Sequence, residues 1–213
     1  MPQRTIEQLI EGFRDFRDSY YADNRDLFDA LVRRGQSPQV MLIGCADSRV
    51  DPLLITRAQP GDLFILRNVA NLVPPYAPDG HSHGTSAGLE FAVRTLEVAH
   101  IIVLGHAQCG GIRALLEGSP MAGRGDDFVG VWMSIAERAR QRTLSLAVAD
   151  EDRRHFCEQE SVKVSLENLL TFPWIRERVE AQRLTLHGWY FDLADGHLLR
   201  LDPSTNEFAR IEG

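Results

Sequence analysis

Two short apolar runs constrain the fold of this chain more than any other part of its sequence. They are VMLIG, beginning at Val40, and HIIVLGH, beginning at His100, and both are rich in β-branched residues. Strands that are buried on both faces of a parallel sheet have continuous apolar runs of this kind. A third candidate is LFILRNVAN, residues 63–71, which follows the turn QPGD. These runs predict a mainly parallel sheet.

The segments around these runs carry the helical period. In GTSAGLEFAVRTLEVA, residues 84–99, apolar side chains recur on one face, with a plausible Thr or Ser cap at the start. Helical patterns also cover residues 127–142 and 155–171, and another helix begins near Pro173. LTLHGWYFDL, ADG and HLLRLD, residues 184–202, predict an antiparallel hairpin. The alternation predicts an α/β fold, a central sheet flanked by helices and closed at one edge by the hairpin.

The amino-terminal region has a different pattern. Residues 3–33 carry apolar positions at helical spacing among many charges, which predicts one or two amphipathic helices ending at RRGQSP. A chain of 213 residues is within the size that one hydrophobic core supports. We therefore expect a single domain, residues 1–213, made of a helical arm (1–34) and an α/β core (35–213).

Composition and charge exclude several classes of protein. Hydrophobic residues at 44% and charged residues at 25% are typical of a globular domain rather than a disordered chain. A net charge of −7 disfavours nucleic-acid binding, which needs a clustered basic surface. The sequence has neither an apolar run long enough to span a membrane nor a secretory signal pattern. We expect a cytoplasmic protein with no nucleic-acid or membrane partner.

Three chemically reactive side chains lie at the ends of predicted strands. Cys45 follows the first apolar run, His106 ends the second, and Cys109 comes three residues later, before a predicted helix. The carboxyl ends of parallel strands gather ligand sites in open α/β sheets. Two thiolates and an imidazole are a ligand set that zinc favours, and three protein ligands leave a fourth position open, as in catalytic sites. The set predicts a catalytic zinc site.

Further side chains beside these cysteines suit a metal site. Asp47 could coordinate the metal or accept a proton from a group bound to it, and Arg49 could hold that carboxylate in a bidentate pair. Gly110 and Gly111 allow the backbone to approach the metal and whatever it holds. Cys157 lies in a predicted helix and reads as a structural thiol, with a fourth metal ligand as the alternative.

These motifs resemble a known family. CADSRV, residues 45–50, and GHAQCGG, residues 105–111, are similar to the paired signature of β-class carbonic anhydrases. GQSP, QPGDLFILRNVANLVPPY, GTSAGLEFAV and ESVKVSLENLLTFPWIRE look like the plant-like subgroup of that family. Leu42 and Phe191 replace the Trp and Tyr of the subgroup that bicarbonate inhibits at a second site. The resemblance therefore implies that this second site is absent.

The resemblance implies a role for each matching residue. It makes Cys45, His106 and Cys109 the ligands of one Zn²⁺ per chain, and Asp47 with Arg49 a catalytic dyad in which Asp47 can ligate zinc at lower pH. The residues expected to contact substrate are Gln36, Phe64, Val69, Phe91 and Gly110. Gln36 would donate a hydrogen bond to the substrate, and the three apolar side chains, expected in the core, would form its wall. The pocket would lie between subunits of a homodimer, or of a dimer of dimers.

The implied function is reversible hydration of carbon dioxide to bicarbonate and a proton by a zinc-bound hydroxide, with a role in carbon utilization. One alternative is hydrolysis of carbonyl sulfide or carbon disulfide at the same zinc site. Another is a non-catalytic zinc-binding module, favoured if Cys157 or Asp47 closes the metal shell. Cysteine-based phosphate or sulfur transfer uses a C-x5-R loop, whereas CADSR and CGGIR are both C-x3-R.

Overall fold

The computed structural model describes residues 4–118, 127–147 and 149–211. The chain divides into two compact units, Met1–Ser37 and Pro38–Gly213, so the single-domain organisation stays a prediction. Among the described residues, none of the helices combines the length and apolar character that crossing a bilayer requires.

The amino-terminal unit is helical, as its periodicity predicts. Helix α1 (Ile6–Phe16) begins with a capping box, in which Thr5 and Gln8 exchange side-chain to backbone hydrogen bonds. A π-helical turn, Arg17–Tyr21, follows it, and α2 (Arg25–Arg34) ends at Gly35, whose φ of 75° favours glycine. Apolar side chains of α1 are exposed, among them Ile6 at 68%.

The core unit contains a six-stranded sheet in the order β2-β1-β3-β4-β5-β6. Its strands are β1 (Val40–Cys45), β2 (Leu63–Asn68), β3 (His100–His106), β4 (Thr185–Phe191), β5 (Leu198–Asp202) and β6 (Glu207–Arg210). The first four run parallel, and β5 and β6 add antiparallel at one edge. The predicted α/β fold and edge hairpin are confirmed, whereas β6 was not predicted because its four residues carry little apolar pattern.

Helices cover the sheet. They are α3 (Pro52–Thr56), α4 (Gly84–Glu90), α5 (Gly110–Glu117), α6 (Phe128–Met133), α7 (Glu137–Ser145), α8 (Arg153–Leu169) and α9 (Pro173–Glu180). A π-helical turn, Phe91–Thr95, extends α4, and a 3-10 turn, Ser134–Ala136, divides the predicted helix 127–142 into α6 and α7. The expected Thr or Ser cap of α4 is wrong, because His83 precedes the helix and Thr85 is buried, within 3.3 Å of Asn68.

The central strands β1 and β3 are buried on both faces, which explains their uninterrupted apolar sequence. Met41 and Val103 belong to a cluster on one face, together with Val162 of α8. Leu42 and Leu104 belong to a cluster on the other face. This burial makes the sheet a rigid support for the groups at its carboxyl edge.

Candidate metal centre

The structure brings the two strand-end ligand candidates together with Cys109. Cys45 ends β1, His106 ends the neighbouring strand β3, and Cys109 immediately precedes α5. Their ligand atoms all lie within 4.8 Å of one another, and all three residues are buried. The turn that returns the chain from His106 to Cys109 places Gln108 at φ 57°, in the left-handed region. The three groups are arranged as a metal-binding set.

The imidazole of His106 fits a metal ligand. Its Nδ1 lies 2.8 Å from the carbonyl oxygen of Ala107, so Nδ1 carries the proton and donates it. Its Nε2 therefore carries a lone pair, and this buried atom finds no hydrogen-bond partner among the described residues. A buried polar atom without a partner is costly, whereas coordination to a metal would satisfy it. The tautomer and the orphaned nitrogen both suit a metal.

The two thiols also fit a divalent cation. A hydrogen bond from Cys109 lowers the pKa of Cys45, and the same bond raises the pKa of Cys109. The backbone N–H of Asp47 also points at Cys45 Sγ, 3.4 Å away. The two sulfurs lie within 4.8 Å of each other, so a dication bound here would accept both as thiolates.

Cys157 lies apart from this set. It is fully buried in α8, and burial raises its pKa to about 11. Among the described residues, the cluster that could hold a metal comprises Cys45, His106 and Cys109 without Cys157. These observations favour the structural role predicted for this thiol.

Asp47 and Arg49 form a close ion pair at the edge of the cluster. Arg49 Nε lies 3.0 Å from Asp47 Oδ1, and Arg49 Nη2 lies 2.7 Å from Asp47 Oδ2. The hydrogen bond from Arg49 holds the pKa of Asp47 well below its usual range. Asp47 Oδ2 lies 4.0 Å from His106 Nε2, so the carboxylate faces the ligand set. Ligation of a metal by Asp47 at lower pH stays a prediction.

Sequence reasoning missed two residues that support this site. Arg67, at the end of β2, donates hydrogen bonds to the carbonyl oxygens of Cys45, Asp47 and Val50 at 2.7–2.9 Å. It therefore clamps the loop that carries the first ligand and the carboxylate. Glu158 of α8 accepts the backbone N–H of Cys109. In the sequence, Arg67 is visible only as a charge inside an apolar strand, and Glu158 only as an acid on the apolar side of a helix. Neither signal indicates which group the side chain binds.

Arg67→Lys should destabilise the core unit. Lysine keeps the charge but replaces a planar fork of donors by one ammonium, which cannot reach three carbonyl oxygens. We expect the free energy of unfolding in urea to fall by about 2 kcal/mol. Arg94→Lys, at the exposed pair with Glu90, should change it by less than about 0.5 kcal/mol. Equal effects of the two substitutions would contradict the clamp.

The two glycines after Cys109 differ in their surroundings. A Cβ on Gly111 would lie 3.0 Å from Ala70 Cβ and 3.1 Å from Val69 Cγ1, whereas a Cβ on Gly110 would meet nothing within 4 Å. Among the described residues, the close contacts of Gly111 are with Val69 and Ala70, and its expected role in approach to the metal stays a prediction. Gly110 is exposed at the start of α5, next to Cys109.

This difference predicts opposite effects of the same substitution. Gly111→Ala should lower the free energy of unfolding by about 1–3 kcal/mol, because the added methyl overpacks the contact between α5 and the residues after β2. Gly110→Ala should leave it unchanged or raise it by up to about 1 kcal/mol, since alanine favours the helix. Thermal unfolding of both variants measures the difference. A harmless Gly111→Ala would show that this contact is loose.

Two of the predicted substrate-contacting residues, Phe64 and Phe91, lie away from the metal ligands of their own chain. Phe64 pairs with Met41 in the sheet, four residues before the register pair Cys45 and Asn68, which is roughly 13 Å along the strand. The ring of Phe91 lies 5.8 Å from that of Phe64. One chain therefore does not bring these two rings to the metal ligands. Gln36 is exposed in the amino-terminal unit.

Two of the expected core residues are exposed. The predicted burial is wrong for Val69, at 42% exposure, and for Phe91, at 43%, whereas Phe64 is half-buried. Val69 follows β2 and lines an apolar groove of about 1140 Å³. Trp132 and the 88% exposed Phe128 also line this groove, and Trp132 Nε1 donates to the carbonyl oxygen of Val69 at 2.7 Å. Among the described residues, this groove is a wide apolar surface that no other element covers.

Fold and site together define the class: an α/β protein with a candidate catalytic metal centre at the carboxyl edge of its sheet. Comparison with known proteins gives the family. The family model described as carbonic anhydrase matches residues 40–198. The chain belongs to the carbonic anhydrase family, and its relatives are β-class enzymes.

The relatives match over most of this chain. A carbonic anhydrase from Synechocystis sp. is 37% identical over 206 residues, which are 95% of this chain and 73% of the relative. Mitochondrial beta carbonic anhydrase 6 of Arabidopsis thaliana is 41% identical over 192 residues, which are 89% of this chain and 65% of the relative. Because that relative is mitochondrial, the cytoplasmic location stays a prediction for this chain.

Solved structures agree on the fold. The β-carbonic anhydrase CcaA is 36% identical and has a TM-score of 0.90, covering 98% of this chain and 92% of that chain. A second match comes from work on two tetrameric β-carbonic anhydrases of Sordaria macrospora. It is 29% identical with a TM-score of 0.78, covering 93% of this chain and 98% of that chain.

Proposed function

We propose that this chain hydrates carbon dioxide reversibly to bicarbonate and a proton, using one zinc ion held by Cys45, His106 and Cys109. The observation that carries the proposal is the buried Nε2 of His106, which lies without a partner among the described residues and within 4.8 Å of two thiol sulfurs. Membership of the carbonic anhydrase family supports the reaction. The pair of Asp47 and Arg49 beside the cluster supports catalysis rather than structural metal binding.

Zinc supplies a Lewis acid that lowers the pKa of water, so that water can attack carbon dioxide near neutral pH. Asp47 accepts a hydrogen bond from the attacking water and directs its lone pair toward the substrate carbon. Arg49 fixes the carboxylate in one orientation and keeps it ionised. The water oxygen bonds to the carbon of carbon dioxide, and one proton leaves to solvent.

The remaining predicted residues hold the substrate. Gln36 donates its amide N–H to the substrate oxygen that becomes negative. Val69 supplies an exposed apolar surface at the groove described above, one residue after Asn68, which pairs with Cys45 in the sheet. Gly110 presents backbone at the start of α5, where the first N–H groups lack partners within the helix.

We propose further that the working unit is a homodimer or a dimer of dimers, with the pocket at the subunit interface. Phe64 lies too far along β2 to line the pocket of its own chain, and the ring of Phe91 lies beside it, so a second copy would have to supply both. The wide apolar groove with its exposed Phe128 supports association through this face. The tetrameric relatives of Sordaria macrospora support the higher assembly.

Hydration activity should rise with pH. Two thiolates neutralise most of the charge of a zinc ion, so the water pKa should lie above the value of about 7 found with three histidines. Asp47 has a lowered pKa and is therefore ionised throughout this range, so protonation of its carboxylate does not contribute to the rise. Stopped-flow hydration by protein of measured zinc content should be several-fold faster at about pH 8.5 than at about pH 7.

The same measurement separates the alternatives. Activity that is equal at the two pH values would contradict the expected thiolate effect on the metal. Full zinc without hydration at either pH would overturn the proposed reaction. Turnover of carbonyl sulfide or carbon disulfide by that protein would then indicate a hydrolase, and inactivity toward all three substrates would indicate a closed, non-catalytic zinc site.

A further inference from the structure

Glu158 is a buried acid directly behind one of the metal-ligand candidates. It lies on α8 with 3% exposure, and each of its carboxylate oxygens accepts one hydrogen bond. The backbone N–H of Cys109 donates to Oε1 at 2.8 Å, and the hydroxyl of Tyr190 donates to Oε2 at 2.8 Å. Arg154 Nε is 3.9 Å from Oε1. Both oxygens are therefore engaged by groups that hold the carboxylate in place.

Burying a carboxylate is costly, and an apolar residue at this place in the core would avoid that cost. The carboxylate is therefore best explained by what it holds. Cys109 is the N-cap residue of α5, and its side chain makes no capping hydrogen bond to the helix. The backbone N–H of Cys109 instead donates a hydrogen bond to Glu158, which lies on another helix, α8. The acid fixes the backbone of Cys109 rather than packing the core.

The peptide unit joining Gln108 to Cys109 is held at both of its polar atoms. Its carbonyl oxygen, on Gln108, accepts from Arg49 Nη2 at 3.0 Å, and its N–H, on Cys109, donates to Glu158. Gln108 has φ 57°, a backbone conformation that most residues avoid, so these two hydrogen bonds are needed to hold the peptide in its orientation. Because Cβ and Sγ of Cys109 extend from this peptide, its orientation determines where the sulfur lies.

Tyr190 connects Glu158 to a second residue of α8, His155. It is fully buried on β4, and its hydroxyl lies 3.1 Å from Nδ1 of His155. The chain of hydrogen bonds thus runs from His155 through Tyr190 and Glu158 to Cys109. Its last member is a backbone amide, which does not pass protons on during turnover. The chain is built to hold position rather than to move a proton.

We propose that Glu158, held by Tyr190, is a positioning residue that sets the Gln108–Cys109 peptide against Arg49 and so aims the Cys109 sulfur at the metal. This inference rests on the proposed zinc site. It also couples the position of the dyad to that of Cys109, since Arg49 binds the carbonyl oxygen and Glu158 the N–H of the same peptide.

Zinc retention tests this proposal. In Glu158→Leu, zinc should pass to an excess of chelator at least about tenfold faster than in the unaltered protein, because groups supporting a metal ligand commonly contribute that much. Glu158→Gln keeps an acceptor oxygen and should recover most of the retention. Tyr190→Phe removes one hydroxyl and should release zinc about threefold faster. Asn168→Leu is the control. Asn168 lies at another place on α8, and the substitution removes its buried hydrogen bond to the carbonyl oxygen of Val73. This variant should release zinc at the unaltered rate.

A second readout needs no metal. In the zinc-free protein, hydrogen exchange of the Cys109 amide should be at least about tenfold faster in Glu158→Leu, with no such change in Asn168→Leu. Unchanged zinc release and exchange in Glu158→Leu would overturn the inference, as would equally fast release from the Gln and Leu variants. If Glu158→Leu does not fold, Tyr190→Phe decides, and release at the unaltered rate overturns it. An unaltered chain that binds no zinc would overturn the proposed function itself.

Discussion

Cys109→Ala is expected to abolish zinc binding and to lower kcat/KM for carbon dioxide hydration by about a thousandfold or more. Cys109 is one of three buried ligand candidates whose donor atoms lie within 4.8 Å. Two remaining protein ligands do not hold zinc firmly, and without the metal the water loses its activation. Zinc content by atomic absorption and hydration by stopped flow measure the two parts of the prediction.

Cys157→Ala is the matched control, because it also replaces a buried cysteine by alanine, but at a position outside the cluster. We expect it to lower the free energy of unfolding by about 1–2 kcal/mol through the small cavity that it leaves. Zinc near one per chain and hydration close to that of the unaltered protein should remain. Loss of zinc in both variants would mean that general destabilisation, rather than a missing ligand, explains the effect of Cys109→Ala.

Asp47→Asn is expected to lower hydration by about a hundredfold or more while zinc is retained. The ligand set is intact in this variant, but the amide turns a donor toward Arg49 where the carboxylate offered a second acceptor oxygen. The group proposed to orient the attacking water is thereby both neutral and misdirected. Stopped-flow hydration and zinc analysis of the same sample separate catalysis from metal binding.

Asp202→Asn is the control for this substitution. Asp202 ends β5, where its Oδ1 accepts the backbone N–H of Ser204, and asparagine makes such turns about as well. We expect hydration by Asp202→Asn to stay within about twofold of the unaltered protein. Hydration at the unaltered rate in Asp47→Asn would contradict the role given to that carboxylate.

The sheet and the ligand cluster were predictable because they depend on local patterns and one topological rule. The apolar runs at Val40 and His100 identify buried parallel strands, and neighbouring parallel strands bring their carboxyl ends together. Cys45, His106 and Cys109 follow those strands closely in sequence, so their convergence required no knowledge of distant contacts. The spacing of reactive residues after the strands contained most of the information about the site.

The supporting groups could not be predicted in this way, because their partners are distant in sequence. Arg67 binds a carbonyl oxygen 22 residues away, and Glu158 binds an amide 49 residues away. Such contacts depend on how α8 and β2 pack, which local periodicity does not determine. The exposure of Val69 and Phe91 was mispredicted for a related reason, since apolar character alone does not determine whether a neighbouring element covers the side chain.

The most direct test of the metal centre is anomalous diffraction at the zinc edge from crystals of the zinc-loaded protein, grown at about pH 8.5, where water should complete the shell. The account predicts one peak per chain, bonded to Sγ of Cys45, Nε2 of His106 and Sγ of Cys109, with a fourth ligand that is not protein. A peak at another place, or a shell closed by a fourth protein group at that pH, would contradict it.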